Sequence, residues 1–282
     1  MFSYLQLFYY LLRPKTIFVM RTSNGLGDNL LLSVLLPYLR KKNPKHKIVV
    51  ETRFPELFKN NPYVDWVTNR HFKTTKRHIK PKYRIYKNTK FSFIEQMLNY
   101  IGVNENGSPQ LYLAKNEIES IKEQFPYPYI TICPVGKTEF SANRKEWGFN
   151  NFQRLRNLLS EYKFVQIGLN TDPLLDNLID GRGLFIRKTA ALIHNSLFFI
   201  GLEGGFMHLS KAVGKRALII FGGYIDPKNS GYDDNINLYS QVDCSPCYHS
   251  NAPHEYCDSM KCMKAIAPEM VYKKIQTHLL KN

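Results

Sequence analysis

The stretch KTIFVMRTSNGLGDNLLLSVLLPYLRKKNPKHKIVVE, residues 15–51, decides the fold class. Lys15 to Arg21 is a β-branched and aromatic run that reads as a buried strand. Asn24-Gly25-Leu26-Gly27-Asp28 is a turn, and Asn29 to Lys42 carries a helical apolar pattern bent at Pro37. Lys47 to Glu51 reads as a second strand. Strand, glycine turn, helix and strand open a parallel α/β unit. Beyond it, Asn60-Asn61-Pro62 punctuates the chain, Val64 to Val67 is a third short strand, and Phe91 to Tyr100 looks helical.

Gly102 to Pro109 is polar and turn-rich, which puts a domain boundary between Gly107 and Ala114. The alternation then restarts. Strands are expected at Tyr129–Cys133, Lys163–Ile167, Leu197–Ile200 and Ala217–Phe221. Helices are expected at Asn150–Tyr162, Thr171–Ile179, Gly205–Val213 and Val271–Leu280. The expected architecture is two α/β domains, residues 1–112 and 113–282, facing one another across a cleft where ligands bind.

The 282 residues carry 39 Lys and Arg against 23 Asp and Glu, a formal charge of +16. A 44% hydrophobic composition excludes a disordered chain, and no apolar run reaches the length of a membrane helix. The charge calls for an anionic partner: nucleic acid, a phosphorylated small molecule or an acidic membrane surface. Nine basic residues and no acidic one lie between Trp66 and Ile94. That window reads either as a solvated loop region or as a surface for an acidic or phosphorylated glycan or lipid headgroup. Its interleaved Phe72, Tyr83, Tyr86 and Phe91 also suit sugar stacking or single-stranded nucleic acid. Met1 to Leu12 is apolar and aromatic, with Arg13 and Lys15 after it rather than before it. This order is wrong for an export signal and fits a short packed helix or an interfacial anchor.

Cys244, Cys247, Cys257 and Cys262 are clustered, while Cys133 stands alone. In the reducing cytoplasm that the missing export signal points to, the C-x2-C-x9-C-x4-C spacing favours tetrahedral zinc or iron over disulfides or plain reduced thiols. His249 and His254 are spare ligands nearby. Two phosphate fingerprints fail. Leu30 stands where a dinucleotide G-x-G-x-x-G needs its third glycine, and Thr131 stands where a P-loop ending in Gly136-Lys137-Thr138 needs its first.

Three features survive. Asp28, after the first strand, is either a first-turn acid on the helix dipole or a general base at the cleft mouth. Lys145 is either a solvated loop lysine or a phosphate ligand. Glu203-Gly204-Gly205-Phe206-Met207-His208 is either a tight capped turn or an anion-binding helix start.

Taken in order, Gly25-x-Gly27-Asp28, Asn61-Pro62-x-Val64-Asp65, Lys145-x-Trp147, Gly204-Gly205-x-x-His208-Leu209, Phe221-Gly222 and Cys262-Met263 cover nearly the whole chain. In these the sequence resembles the heptosyltransferase-type glycosyltransferases, family 9. The resemblance implies a GT-B architecture of two Rossmann-like domains, with the acceptor on the first and a nucleotide-sugar on the second. It implies inverting transfer without an obligatory divalent cation. Asp28 matches the family's proposed base and Lys145 the lysine on the donor phosphates, while Glu203, Gly204, Gly205 and His208 match an Asp-Thr-Gly-x-x-His donor loop. Glu for Asp and Gly for Thr depart from that loop, which leaves the donor's identity open.

Expected donor contacts are thus Gly136, Lys145, Glu203, Gly204, Gly205 and His208. Expected acceptor contacts are Gly27, Lys73, Lys76, Arg77 and Lys80. The expected partners are a nucleotide-sugar, ADP-linked in the first instance, and an acidic glycan or glycolipid, with peripheral contact at the cytoplasmic face of the inner membrane. The closing helix is expected to pack back on the first domain. The competing reading is a nucleic-acid-binding protein with a metal knuckle and a basic arm, and it is the less favoured.

Overall fold

The computed structural model describes residues 4–72, 77–86, 89–136, 141–248 and 255–278. Two parallel sheets organise them. The first contains β1 (Thr16–Met20), β2 (Lys47–Glu51), β3 (Trp66–Thr68) and β4 (His78–Ile79), in the order β3-β2-β1-β4. The second contains β5 (Tyr129–Cys133), β6 (Lys163–Gln166), β7 (Ile179–Asp180), β8 (Phe199–Leu202), β9 (Ala217–Gly222) and β10 (Ile236–Tyr239), in the order β10-β9-β8-β5-β6-β7. Each order runs outward from its first strand in both directions. The chain therefore reverses between β1 and β4 and between β5 and β8, and the carboxyl ends of strands at such reversals are where α/β sheets bind ligands.

The helices are α1 (Tyr4–Leu12), α2 (Leu26–Leu31), α3 (Leu36–Lys42), α4 (Phe93–Tyr100), α5 (Lys115–Gln124), α6 (Phe149–Leu158), α7 (Ile186–Asn195), α8 (Gly205–Ala212), α9 (Pro227–Ser230), α10 (Lys261–Lys264) and α11 (Pro268–His278). The single helix expected over Asn29–Lys42 is instead α2, a 3₁₀ turn at Leu32–Leu35 and α3. The bend therefore falls before Pro37, whose missing N–H sits harmlessly in the first turn of α3. No described helix is long and apolar enough to cross a membrane.

Core residues explain the layers. β1 is buried along its whole length and pairs in register with β2, Phe18 opposite Val49. Leu7 of α1 packs with Phe18, Met20 and Val49 on one face of this sheet, and Tyr10 stacks on Trp66 with ring centroids 5.4 Å apart. Leu30, Leu31 and Leu35 cover the other face, in a cluster that continues into Met207 and Leu209 of α8. The two sheets are thus joined through α2 against α8.

Three expectations fail. Thr171–Ile179 forms turns leading into β7 rather than a helix. Buried Gln166 donates to Pro173 O at 2.7 Å and accepts from Leu175 N at 3.0 Å, occupying backbone groups that a helix would use. The closing helix α11 packs on α6 within the second half, Val271 and Ile275 meeting Phe152 and Leu155, and not on the first domain. Arg77, expected at the acceptor, lies at the amino end of the first sheet, away from the carboxyl ends. Its carbonyl accepts from Phe18 N at 3.1 Å and its guanidinium donates to Asn43 Oδ1 at 2.9 Å. Lys80 does follow β4 at the carboxyl end, while Lys73 and Lys76 lie outside the described residues.

Candidate active site

The turn after β1 is built by hydrogen bonds local to it. Asn29 is fully buried; its amide donates to Ser23 O at 3.1 Å and Gly25 O at 2.7 Å. Its carbonyl oxygen accepts from Thr52 Oγ1 at 2.8 Å and Arg53 N at 3.0 Å, tying the turn to the end of β2. This frame presents Asp28 from the first turn of α2. The Ser23 hydroxyl donates to Asp28 Oδ2 and the Tyr83 hydroxyl to Oδ1. Tyr83 reaches there from the basic window, stacked on Phe93 with centroids 4.0 Å apart. Burial, then the Asp28 carboxylate, push its hydroxyl well above the usual phenol range, so it keeps its proton and donates.

The second half supplies the facing wall. Glu203 follows β8 and forms a buried ion pair with Lys145, whose ammonium lies 5.2 Å from the Tyr224 ring centroid. Burial works to raise the Glu203 carboxyl, but Lys145, His208 and Ser230 outweigh it and hold it below the usual carboxylate range. The two groups expected to share a donor are therefore engaged with each other. His208 is buried and its imidazole lowered, chiefly by desolvation, against the upward pull of Glu203 and Asp28. Its Nδ1 lies 2.6 Å from the Tyr232 hydroxyl. Burial raises Tyr232 above the phenol range, so this hydroxyl keeps its proton; when it donates to Nδ1, the imidazole carries its own proton on Nε2.

The halves meet at Gly27 and at Gly205, where a Cβ would lie 3.0 Å from Leu26 Cβ. A Cβ on Gly27 would lie 2.6 Å from His208 Cδ2, so Gly27, expected at the acceptor, is spent on letting α8 approach α2. Gly204, at φ +155°, has open space around it and gives α8 no side-chain cap. The first-turn amides of α8 are thus available to an anion. Gly136 departs from expectation, because its amide donates to Glu146 Oε1 at 3.1 Å and a Cβ would strike that oxygen at 2.7 Å.

The Cys-rich end buttresses Lys145. Trp147 Nε1 donates to Ile266 O at 2.7 Å, and Asn143 exchanges two hydrogen bonds with the Cys257 backbone at 2.9 and 2.8 Å. Met263 fills the space over Gly222, where a Cβ would meet its sulfur at 2.6 Å. All five cysteines are free thiols. Burial foremost, with Arg144 acting against it and Cys262, Cys244 and Cys257 acting with it, raises the Cys247 thiol to about 11. Among the described residues no three His, Cys, Asp or Glu side chains stand in a ligating arrangement. His249 and His254 fall outside those residues.

No protein-family model and no curated protein matches the sequence. Solved structures do. A family 9 glycosyl transferase from Veillonella parvula is 18% identical with TM-score 0.71, over 96% of this chain and 99% of that one. The dodecameric iron-containing glycosyltransferase TibC of enterotoxigenic E. coli is 16% identical with TM-score 0.74, over 94% and 76%. TibC is also solved with ADP-D-β-D-heptose. E. coli ADP-heptose lipopolysaccharide heptosyltransferase II is 16% identical with TM-score 0.69, over 94% and 98%. The chain therefore has their fold, two Rossmann-like units of GT-B type.

Proposed function

We propose that the chain is an inverting glycosyltransferase moving a sugar, a heptose in the first instance, from an ADP-linked donor to a hydroxyl of an acidic glycan or glycolipid. The observation that carries this reading is the approach of the turn bearing Asp28 to His208, closed at Gly27, with Lys145 paired to Glu203 at the start of the same helix, from the chain reversals of two different sheets. The similarity in fold to ADP-heptose-using enzymes supports it.

In this reading Asp28 takes the proton of the acceptor hydroxyl, whose oxygen bonds to the anomeric carbon. The bond from that carbon to the diphosphate breaks on the opposite face. Charge then grows on the departing nucleoside diphosphate. Lys145, the Nε2–H of His208 and the first-turn amides of α8 are the groups assigned to it, each such donor contributing about 3 kcal/mol. Glu203 holds Lys145 in place before the donor arrives. No step is assigned to a divalent cation.

Thermal melts with ADP, UDP, GDP and CDP test the donor side. ADP at a hundredfold excess over Kd should raise Tm by roughly 5–10 °C, with smaller rises for the others. No rise with any of the four would sink the reading.

Cys244, Cys247, Cys257 and Cys262 are assigned to a structural zinc or iron. The C-x2-C-x9-C-x4-C spacing of four soft donors supports this chemistry, although the four side chains do not stand in a ligating arrangement, and a metal there would brace the Lys145 loop through Asn143. Elemental analysis of protein purified without chelator should find close to one equivalent. Metal-free protein with an unchanged melting temperature removes the assignment. The acceptor side is read as a peripheral contact at a membrane face.

A further inference from the structure

α1 is apolar on both sides. Leu7 faces the sheet, with Tyr10 and Leu11 packed beside it. Leu5, Phe8, Tyr9 and Leu12 stand 81%, 62%, 46% and 64% exposed. Positions 5, 8, 9 and 12 follow the helical spacing that makes one continuous stripe. A stripe of four large apolar side chains in water is unusual for a surface that meets only solvent.

The charge beside the stripe is of one sign. The Arg13 guanidinium lies 4.4 Å from the centroid of the Tyr9 ring, at the carboxyl end of α1. Lys15 follows, and the Lys47 amide donates to Lys15 O at 2.8 Å, so the turn carrying Lys45 runs alongside. Arg13, Lys15 and Lys45 are all exposed. The acid close by, Asp65, is already paired with Arg40 at 2.6 Å and Lys47 at 2.8 Å. The bias extends to the whole first half: residues 1–112 hold 19 Lys and Arg against 6 Asp and Glu, +13 of the chain's +16.

We propose that the outer stripe of α1, with its rim of Arg13, Lys15 and Lys45, docks the protein on an anionic phospholipid surface. The apolar side chains enter the boundary between headgroups and acyl chains, as an interfacial helix does. The basic rim lies at the level of the lipid phosphates, where each cation adds to the attraction until salt screens it. The inner face of α1 stays on Phe18 and Val49, so docking requires no unfolding. The assignment gives the membrane contact proposed above a surface, and it stands independently of the sugar-transfer chemistry.

Co-sedimentation of the full chain with vesicles tests it. The protein should pellet with equal parts phosphatidylglycerol and phosphatidylcholine, remain in solution with phosphatidylcholine alone, and be released by high salt. Phe8→Glu with Leu12→Glu should abolish pelleting. Arg13→Gln with Lys15→Gln and Lys45→Gln should weaken it on the order of a hundredfold. The altered side chains are exposed, so an unchanged nucleotide-dependent melt shows that each variant is folded and separates a failure here from a failure of the catalytic reading. Equal pelleting by the Phe8→Glu, Leu12→Glu variant overturns the proposal. So does absence of binding to the anionic vesicles, including the case where that variant only converts a self-associated form to monomer.

Discussion

Asp28→Asn is expected to slow sugar transfer about a thousandfold and to leave the nucleotide-dependent rise in melting temperature unchanged. Asn has the same shape, keeps an oxygen to accept from the Tyr83 hydroxyl and turns an NH2 toward the Ser23 hydroxyl, which can accept from it, so the turn held by Asn29 stays in place. What it loses is the capacity to accept a proton from the attacking hydroxyl. The groups assigned to the diphosphate, Lys145 and the start of α8, lie across the site and are untouched. Initial rates with saturating donor measure the effect. A variant turning over within about tenfold of the parent would move the base role elsewhere, since a general base is worth at least about a hundredfold.

Arg187→Ala should produce the largest loss of stability. Arg187 lies in α7 of the second half, nearly buried, and its Nε donates to Glu117 Oε1 at 2.6 Å. Its other donors reach Glu56 O at 2.9 Å and Tyr112 O at 2.9 Å, so one guanidinium ties the first half and the connecting stretch to the second. Removing it leaves the Glu117 carboxylate with the Ala114 amide alone and takes a donor from three carbonyls, those of Glu56, Lys59 and Tyr112. Breaking such a pair costs about 3–5 kcal/mol, or roughly 10 °C in Tm for a chain of this size.

The loss should depend on pH in a defined direction. Hydrogen bonding to Arg187, only partly offset by desolvation, holds Glu117 down to about 2. In the unfolded chain a glutamate titrates near 4.3. A depressed folded value stabilises fully above the unfolded one and ceases to do so as pH falls through the folded one. The gap in Tm between parent and variant should thus be widest above pH 5 and narrow toward pH 2. A gap that stays constant across that range would show that Glu117 is not the partner that matters.

Much of the fold was legible because strands and glycine turns announce themselves locally. β1, β2, β5 and β9 are short, mostly apolar and β-branched runs buried almost throughout, as strands of a doubly covered parallel sheet are. α7 was missed because Arg187 and Thr189 are buried on its inner face and break the apolar pattern. α5 was missed because Ile121 is its one buried residue. A helix was expected over Thr171–Ile179 because Leu174, Leu175, Leu178 and Ile179 imitate its spacing, while the competitor for its backbone, Gln166, comes from a neighbouring strand.

The same division runs through the site. Asp28, Lys145, Glu203 and His208 could each be named as candidates from their place after a strand or at a helix start. Their partners were not. Tyr83 reaches Asp28 across 55 positions, Lys145 closes on Glu203, Arg77 turns to Asn43, and Glu146 takes the Gly136 amide. Alone, the sequence determined the alternation of strands and helices, the turns that end them and the sign of the charge, since these depend on residues a few positions apart. The tertiary structure decided which side chains face one another and which glycine is spent on an approach between helices. A packed interior joins groups tens of residues apart, and burial then forces each polar group to find its partner there.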